Sequence, residues 1–229
     1  MKKSFLTYVT PILIVLPVIS ISLWHMNNQG LPKFDAAEYM ITAYQQYLAF
    51  QDGSLLDGIK TLYQIRGWRP TFFPLLATPF LLLFKGNVHW ATGATMILLA
   101  FVCQVYLYAI ARRYLDSLSA SLAAALVGSC PVNFYLGTVF LSEVAWLAVF
   151  AGFVFHLLKS EFFSVPSQSM IAGLFLGMAA LLRPAETIAM IILPLIAFIS
   201  VATARKYVSV RSAACISGFV FLTAGLLML

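Results

Sequence analysis

Charge is what this sequence lacks. Only 10% of its 229 residues are Asp, Glu, Lys or Arg, against about 25% in an ordinary soluble domain. A water-soluble sphere of this size needs more polar surface than that, so a cytosolic or secreted globular domain is excluded. Acids are scarcer still, eight against fourteen Lys and Arg, for a net charge of +6. That surplus does not indicate nucleic acid, because the cations lie in twos and threes between apolar runs rather than along one stripe. Cysteine is sparse. Cys103, Cys130 and Cys215 are odd in number, form no CxxC pair and each sit within an apolar stretch, so neither a disulfide framework nor a thiolate metal site is indicated. The alternation of apolar and polar residues that marks a transmembrane β-barrel is missing too.

What the sequence has is long apolar runs, with 62% hydrophobic residues and a mean hydropathy of +0.92. Inside a bilayer a helix satisfies every backbone amide within its own segment, and a span takes about 20 residues. The runs are roughly Tyr8 to Trp24, Val88 to Ala111, Ser117 to Val139 (broken near Pro131), Val144 to Leu158, Val165 to Leu182, Thr187 to Ala204 and Ala213 to Leu229. The expected fold is all-α, a polytopic transmembrane helix bundle of about seven spans forming a single membrane domain over residues 1–229. The first run is read as a retained helix rather than a cleaved signal, because it is long and Ser20-Ile21-Ser22 is a weak cleavage site.

Residues 27–87 form the long first outer loop of this scheme. Ala36 to Phe50 reads as a helix lying at the membrane surface, with Tyr39, Tyr44 and Tyr47 at headgroup level. Thr71 to Phe84 is apolar for only about 14 residues and is punctuated by Pro74 and Pro79 just after Pro70. It is expected to be re-entrant or interfacial. Lys2, Lys3, Arg112, Arg113, Lys159, Arg205, Lys206 and Arg211 then share the cytoplasmic side, while Asp35, Glu38, Asp52, Asp57, Glu143 and Glu186 collect on the other. The expectation is an integral protein of a bacterial inner (plasma) membrane with a cytoplasmic N-terminus. Because the chain stops inside an apolar run, it reads as the N-terminal portion of a longer fold or a shortened relative of one.

Charged groups at the ends of spans need partners or a wet cavity, and four places qualify. Asp35 followed by Glu38 fits a capping box opening a helix, or a general base beside a cavity. Ser142-Glu143 fits a helix N-terminus, or a second carboxylate facing the first. Arg66-Gly67-Trp68-Arg69-Pro70 fits an interfacial anchor, or an arginine gripping a phosphate bidentately. Arg183 and Glu186 have the i, i+3 spacing of a simple ion pair, yet Arg183 is also placed to meet a lipid phosphate. His25, His89 and His156 read as packed or interfacial side chains rather than ligands.

Four segments in order give the chain a resemblance to the N-terminal half of a GT-C glycosyltransferase. They are Phe34-Asp35 with Tyr39; Arg69-Pro70-Thr71-Phe72-Phe73-Pro74-Leu75, leading to Gly86; Cys130-Pro131 with Leu141-Ser142-Glu143; and Ile171 to Pro184 with its Ala172-Gly173 and Leu182-Arg183. The branch it resembles holds the protein O-mannosyltransferases and the lipid A aminoarabinose transferases. Ala36 stands where that family often carries a second acid, and Arg69-Pro70-Thr71-Phe72 where it often has His-Pro-Pro-Leu.

The resemblance implies a membrane glycosyltransferase that takes a sugar from a polyprenyl-phosphate carrier and passes it to an acceptor on the non-cytoplasmic face. It places the catalytic acids at Asp35 and Glu143. Glu38, Arg69 and Arg183 are the accompanying candidates for substrate and phosphate binding. No cofactor is required, although two acids can bind a divalent metal. The expected partners are the polyprenyl-phosphate-linked sugar and the lipid bilayer, with no nucleic acid and the acceptor left open. The alternative is a non-catalytic transporter subunit or lipid-carrier flippase, which would place its charges nearer the midplane.

Overall fold

The computed structural model describes residues 2–28, 34–52, 72–161 and 165–183, together with 186, 187, 192, 196 and 199. Among these every regular element is helical: α1 Lys2–Asn27, α2 Phe34–Asp52, α3 Phe72–Leu75, α4 Thr78–Leu83, α5 Val88–Ala111, α6 Ser117–Gly128, α7 Pro131–Thr138, α8 Ser142–Lys159 and α9 Pro166–Leu182. The chain divides into two compact units, Met1–Ala145 and Trp146–Leu229.

Length and composition mark three of these helices as able to cross a membrane: α1 from Val9, α5 and α8. The 24 residues of α5 reach about 36 Å at 1.5 Å per residue, against a hydrocarbon core of about 30 Å. A fourth crossing is available to α6 and α7 as one span bent by 63°. The bend has a clear cause. Pro131 has no N–H, so the carbonyl of Val127 loses its helical partner. Asn133 Nδ2 donates to that carbonyl at 2.7 Å, which heals the break without straightening it. The 17 residues of α9 cover only about 26 Å, and the expected spans Thr187 to Ala204 and Ala213 to Leu229 lie largely or wholly outside the described residues.

Polar side chains within these apolar helices bond back to their own turns. Ser22 Oγ donates to Val18 O at 2.8 Å, Thr92 Oγ1 to Val88 O at 2.8 Å and Thr95 Oγ1 to Ala91 O at 2.8 Å, as hydroxyls do where water is absent. Helices approach closely through small residues, since lipid offers no hydrophobic drive for association. A Cβ at Gly137 would sit 2.5 Å from Ile21 Cδ1, and one at Gly93 would sit 3.4 Å from the His25 ring.

The hydrogen bonds of the first unit establish how its helices run. At one end His89 Nε2 donates to His25 O at 3.2 Å, and His25 Nε2 donates to Gly137 O at 3.1 Å. The last turn of α1, the first of α5 and the last of α7 therefore meet. At the other end Ser117 Oγ is bonded to Thr10 Oγ1 at 3.3 Å and to Tyr108 Oη at 3.1 Å. So α1 runs toward the His25 end, α5 runs back, and α6–α7 return. The last turn of α1 and the first turn of α5 therefore lie at the same end of the unit. Arg112, Arg113 and Asp116 fall at the Ser117 end.

Helix α2 is packed onto protein. Ala36, Tyr39, Ala43, Gln46 and Tyr47 form one buried stripe of α2, at the spacing of a helix face. Placing all three tyrosines at headgroup level is thus corrected: Tyr39 and Tyr47 are buried, and only Tyr44 is exposed. The pair α3 and α4 lacks the length of a span. After α4, Lys85 takes φ +51 and Gly86 φ +81. Gly86 N–H reaches Leu81 O at 2.8 Å, the long bond of a Schellman stop. A Cβ on Gly86 would lie 3.2 Å from the Tyr47 ring, so the turn also seats α2.

In the second unit, the Phe175 ring of α9 covers Gly152 of α8. His156 Nδ1 is bonded to Gln168 Oε1 at 2.8 Å, and its ring stacks on Phe175 at 5.4 Å. His156 is a packed histidine.

Candidate active site

A stack of three rings builds the His25 end of the first unit. Phe73 of α3 is fully buried. Tyr39 of α2 meets it edge-on at 5.0 Å, and Phe140, in the link from α7 to α8, lies against it at 4.5 Å. Beyond the rings, Tyr39 Oη is hydrogen bonded to Ser142 Oγ at 3.4 Å, and both residues are buried. Three segments far apart in the chain are thereby joined: 34–39, 72–74 and 140–143.

The acids sit around this joint. Asp35 lies one turn before Tyr39, on the same side of α2, and is exposed. Asp35 lies in the first turn of α2 rather than preceding it as an N-cap: Phe34 before it, at φ +39, is outside the right-handed helical region, so regular helix begins at Asp35. Glu38 follows half-buried. Glu143 is in the first turn of α8, half-buried and next to Ser142. Asp35 and Glu143 each stand at the positive end of a helix dipole, which favours anionic side chains. Two helix starts, each carrying a carboxylate, are thus tied by one tyrosine–serine contact.

The arginines are a different matter. Arg69 lies outside the described residues. Arg183 belongs to the second unit, where it ends α9 and forms an ion pair with Glu186. Its carbonyl accepts from Thr187 N–H at 3.2 Å and Thr187 Oγ1 at 2.8 Å. Both pair members are about a third exposed, at 31% and 39%, so the pair contributes little stability, about 0–1 kcal/mol. Among the described residues no three His, Cys, Asp or Glu side chains converge as a metal site.

The joining residues were the part that sequence reading missed. From the sequence alone, Tyr39 falls at headgroup level, Phe73 in an apolar run and Ser142 at a cap, and all three are named only as members of separate motif segments. The available signal was the spacing of Ala36, Tyr39 and Ala43, a buried-face pattern in a helix otherwise rich in polar residues.

Comparison with family models gives a match over residues 69–227 to the dolichyl-phosphate-mannose-protein mannosyltransferases. The chain belongs to that family. That family is one of membrane glycosyltransferases, and the chain is GT-C-like. The matched stretch takes in Phe73, Phe140, Ser142 and Glu143, the mannosyltransferase half of the joint, while Asp35 and Tyr39 precede it. Searches of curated proteins and of solved structures find no match.

Proposed function

We propose that the chain transfers a mannose-type sugar from a polyprenyl-phosphate carrier to an acceptor hydroxyl on the non-cytoplasmic face of a bacterial inner membrane. Asp35 takes the proton from the acceptor hydroxyl as general base. The acceptor oxygen forms its bond to the anomeric carbon as the bond from that carbon to the phosphate oxygen breaks. The polyprenyl phosphate leaves with the electron pair. Glu143 orients the acceptor, with Glu38 binding beside it. Arg69 balances the charge that grows on the phosphate. The step is written without a cofactor. The observation that carries this reading is the Tyr39–Ser142 bond, which ties the helix start bearing Asp35 to the one bearing Glu143.

The test uses proteoliposomes containing the chain, radiolabelled polyprenyl-phosphate mannose and a cell-envelope extract as the acceptor source. Release of polyprenyl phosphate with label entering the extract is expected, and Asp35→Asn should stop it. Movement of intact donor between leaflets without cleavage would replace the enzyme with the flippase alternative. Orientation is read separately in intact cells. Cysteine placed at exposed Asn28 should react with an impermeant thiol reagent, and cysteine placed at Tyr114, 70% exposed at the opposite end, should not. The reverse pattern would put the acids in the cytoplasm and defeat the proposal.

A further inference from the structure

We infer that Tyr39 is a positioning residue whose hydroxyl, through Ser142, sets the Glu143 carboxylate against Asp35; this rests on the reading of those acids as the catalytic pair. Two kinds of contact meet at Tyr39, and they have different jobs. The ring is locked edge-on to Phe73, which in turn packs on Phe140. Those contacts hold the three segments together whether or not Tyr39 has a hydroxyl. The hydroxyl is bonded to Ser142 Oγ at 3.4 Å. That is long against the usual O–H···O distance of about 2.7–2.8 Å, so it adds little to stability as it stands.

Its value is directional. Ser142 opens α8, and Glu143 is the next residue, so fixing the Ser142 side chain fixes the rotation of the turn that aims Glu143. On α2, Tyr39 is one helical turn from Asp35, so the same residue refers both carboxylates to one frame.

The inference separates turnover from folding. Tyr39→Phe keeps the ring stack and removes only the hydroxyl. It should lower kcat about ten-fold, a fraction of the roughly 10²-fold that a 1 Å misplacement costs. The donor KM and the melting temperature in detergent should stay at wild-type values. Ser142→Ala should behave alike, the double variant should be no slower than the slower single one, and Ser142→Thr should restore the rate. Wild-type turnover in Tyr39→Phe, losses that multiply in the double variant, or a Tyr39→Phe protein that fails to accumulate would each overturn the inference. Asp35→Asn run alongside distinguishes the two claims. If it is inactive while Tyr39→Phe is normal, only the positioning role falls; if it is active, the assignment of the acids falls and this inference with it.

Discussion

Asp116 and Asp35 each stand at the start of a helix, at opposite ends of the first unit, and their surroundings differ in kind. The partners of Asp116 are all local. Its Oδ1 accepts the N–H groups of Leu118 at 3.0 Å and Ser119 at 3.2 Å, and its Oδ2 accepts the Ser119 hydroxyl at 2.6 Å. Arg112 nearby is likewise turned to a local group, donating from Nη1 to Leu115 O at 2.6 Å. One turn on from Asp35, Tyr39 instead takes part in a joint of three segments, two of them linked by a contact between residues 103 positions apart. An acid saturated by its own turn is a cap. An acid one turn from a joint of distant segments has its place set by tertiary packing.

The difference can be broken at its foundation first. Phe73→Ala removes the middle ring of the stack and should cost about 3–5 kcal/mol, the range for a buried Phe truncation. The loss is read from thermal unfolding in detergent. An unchanged melting temperature would mean that the rings do not bind the three segments. Next in size is the chemistry. Asp35→Asn should lower turnover by about 10²-fold or more, the scale of a lost general base, with normal membrane insertion. Asp116→Asn should leave turnover intact. Equal effects from the two would erase the distinction between cap and base.

A smaller effect is expected at the joint between α1 and α7. Gly137→Ala forces a methyl to within 2.5 Å of buried Ile21, and overpacking of this kind costs about 1–3 kcal/mol. Full stability in that variant would show that α7 is free to draw back from α1. The smallest effect is a pH dependence at the other end. The carboxyl of Asp116 is held below its ordinary range, first by the Ser119 hydroxyl and then by the Ser119 and Leu118 N–H groups. With a lowered folded value, its contribution is complete above the unfolded pKa of about 3.9. It is lost as pH falls through the folded value. Asp116→Asn should therefore flatten that acid limb while changing little at neutral pH, because Asn is also a good cap. An identical acid limb in wild type and variant would remove the role given to these bonds.

Much of this fold was legible because the physics of a bilayer is written in runs. Val88 to Ala111 could only be a span, and Pro131 could only interrupt one. Asp35 and Glu143 stood out because a carboxylate at the edge of an apolar run needs a reason to be there. What stayed hidden was the other side of each helix. A tyrosine at the edge of a membrane has the same neighbours in sequence whether it faces headgroups or a phenylalanine from another segment. Only the tertiary contact with Phe73 tells Tyr39 apart from exposed Tyr44. Likewise, nothing local in Ser142 announces a partner 103 residues earlier.

The joint at Ser129–Cys130 has a further consequence. In an unbroken helix each residue added or removed turns all that follows by about 100°, given 3.6 residues per turn. Here Pro131 ends that inheritance, and Asn133 Nδ2 re-anchors the chain on Val127 O, which also accepts the Cys130 N–H at 3.3 Å. The azimuth of α7, and so the presentation of Gly137, Phe140 and Ser142, is set afresh at the joint rather than passed up from Ser117. The lower half of this span is thereby insulated from the upper. Insertions or repacking in α6 can accumulate over evolutionary drift without rotating the acid at Glu143 out of its frame.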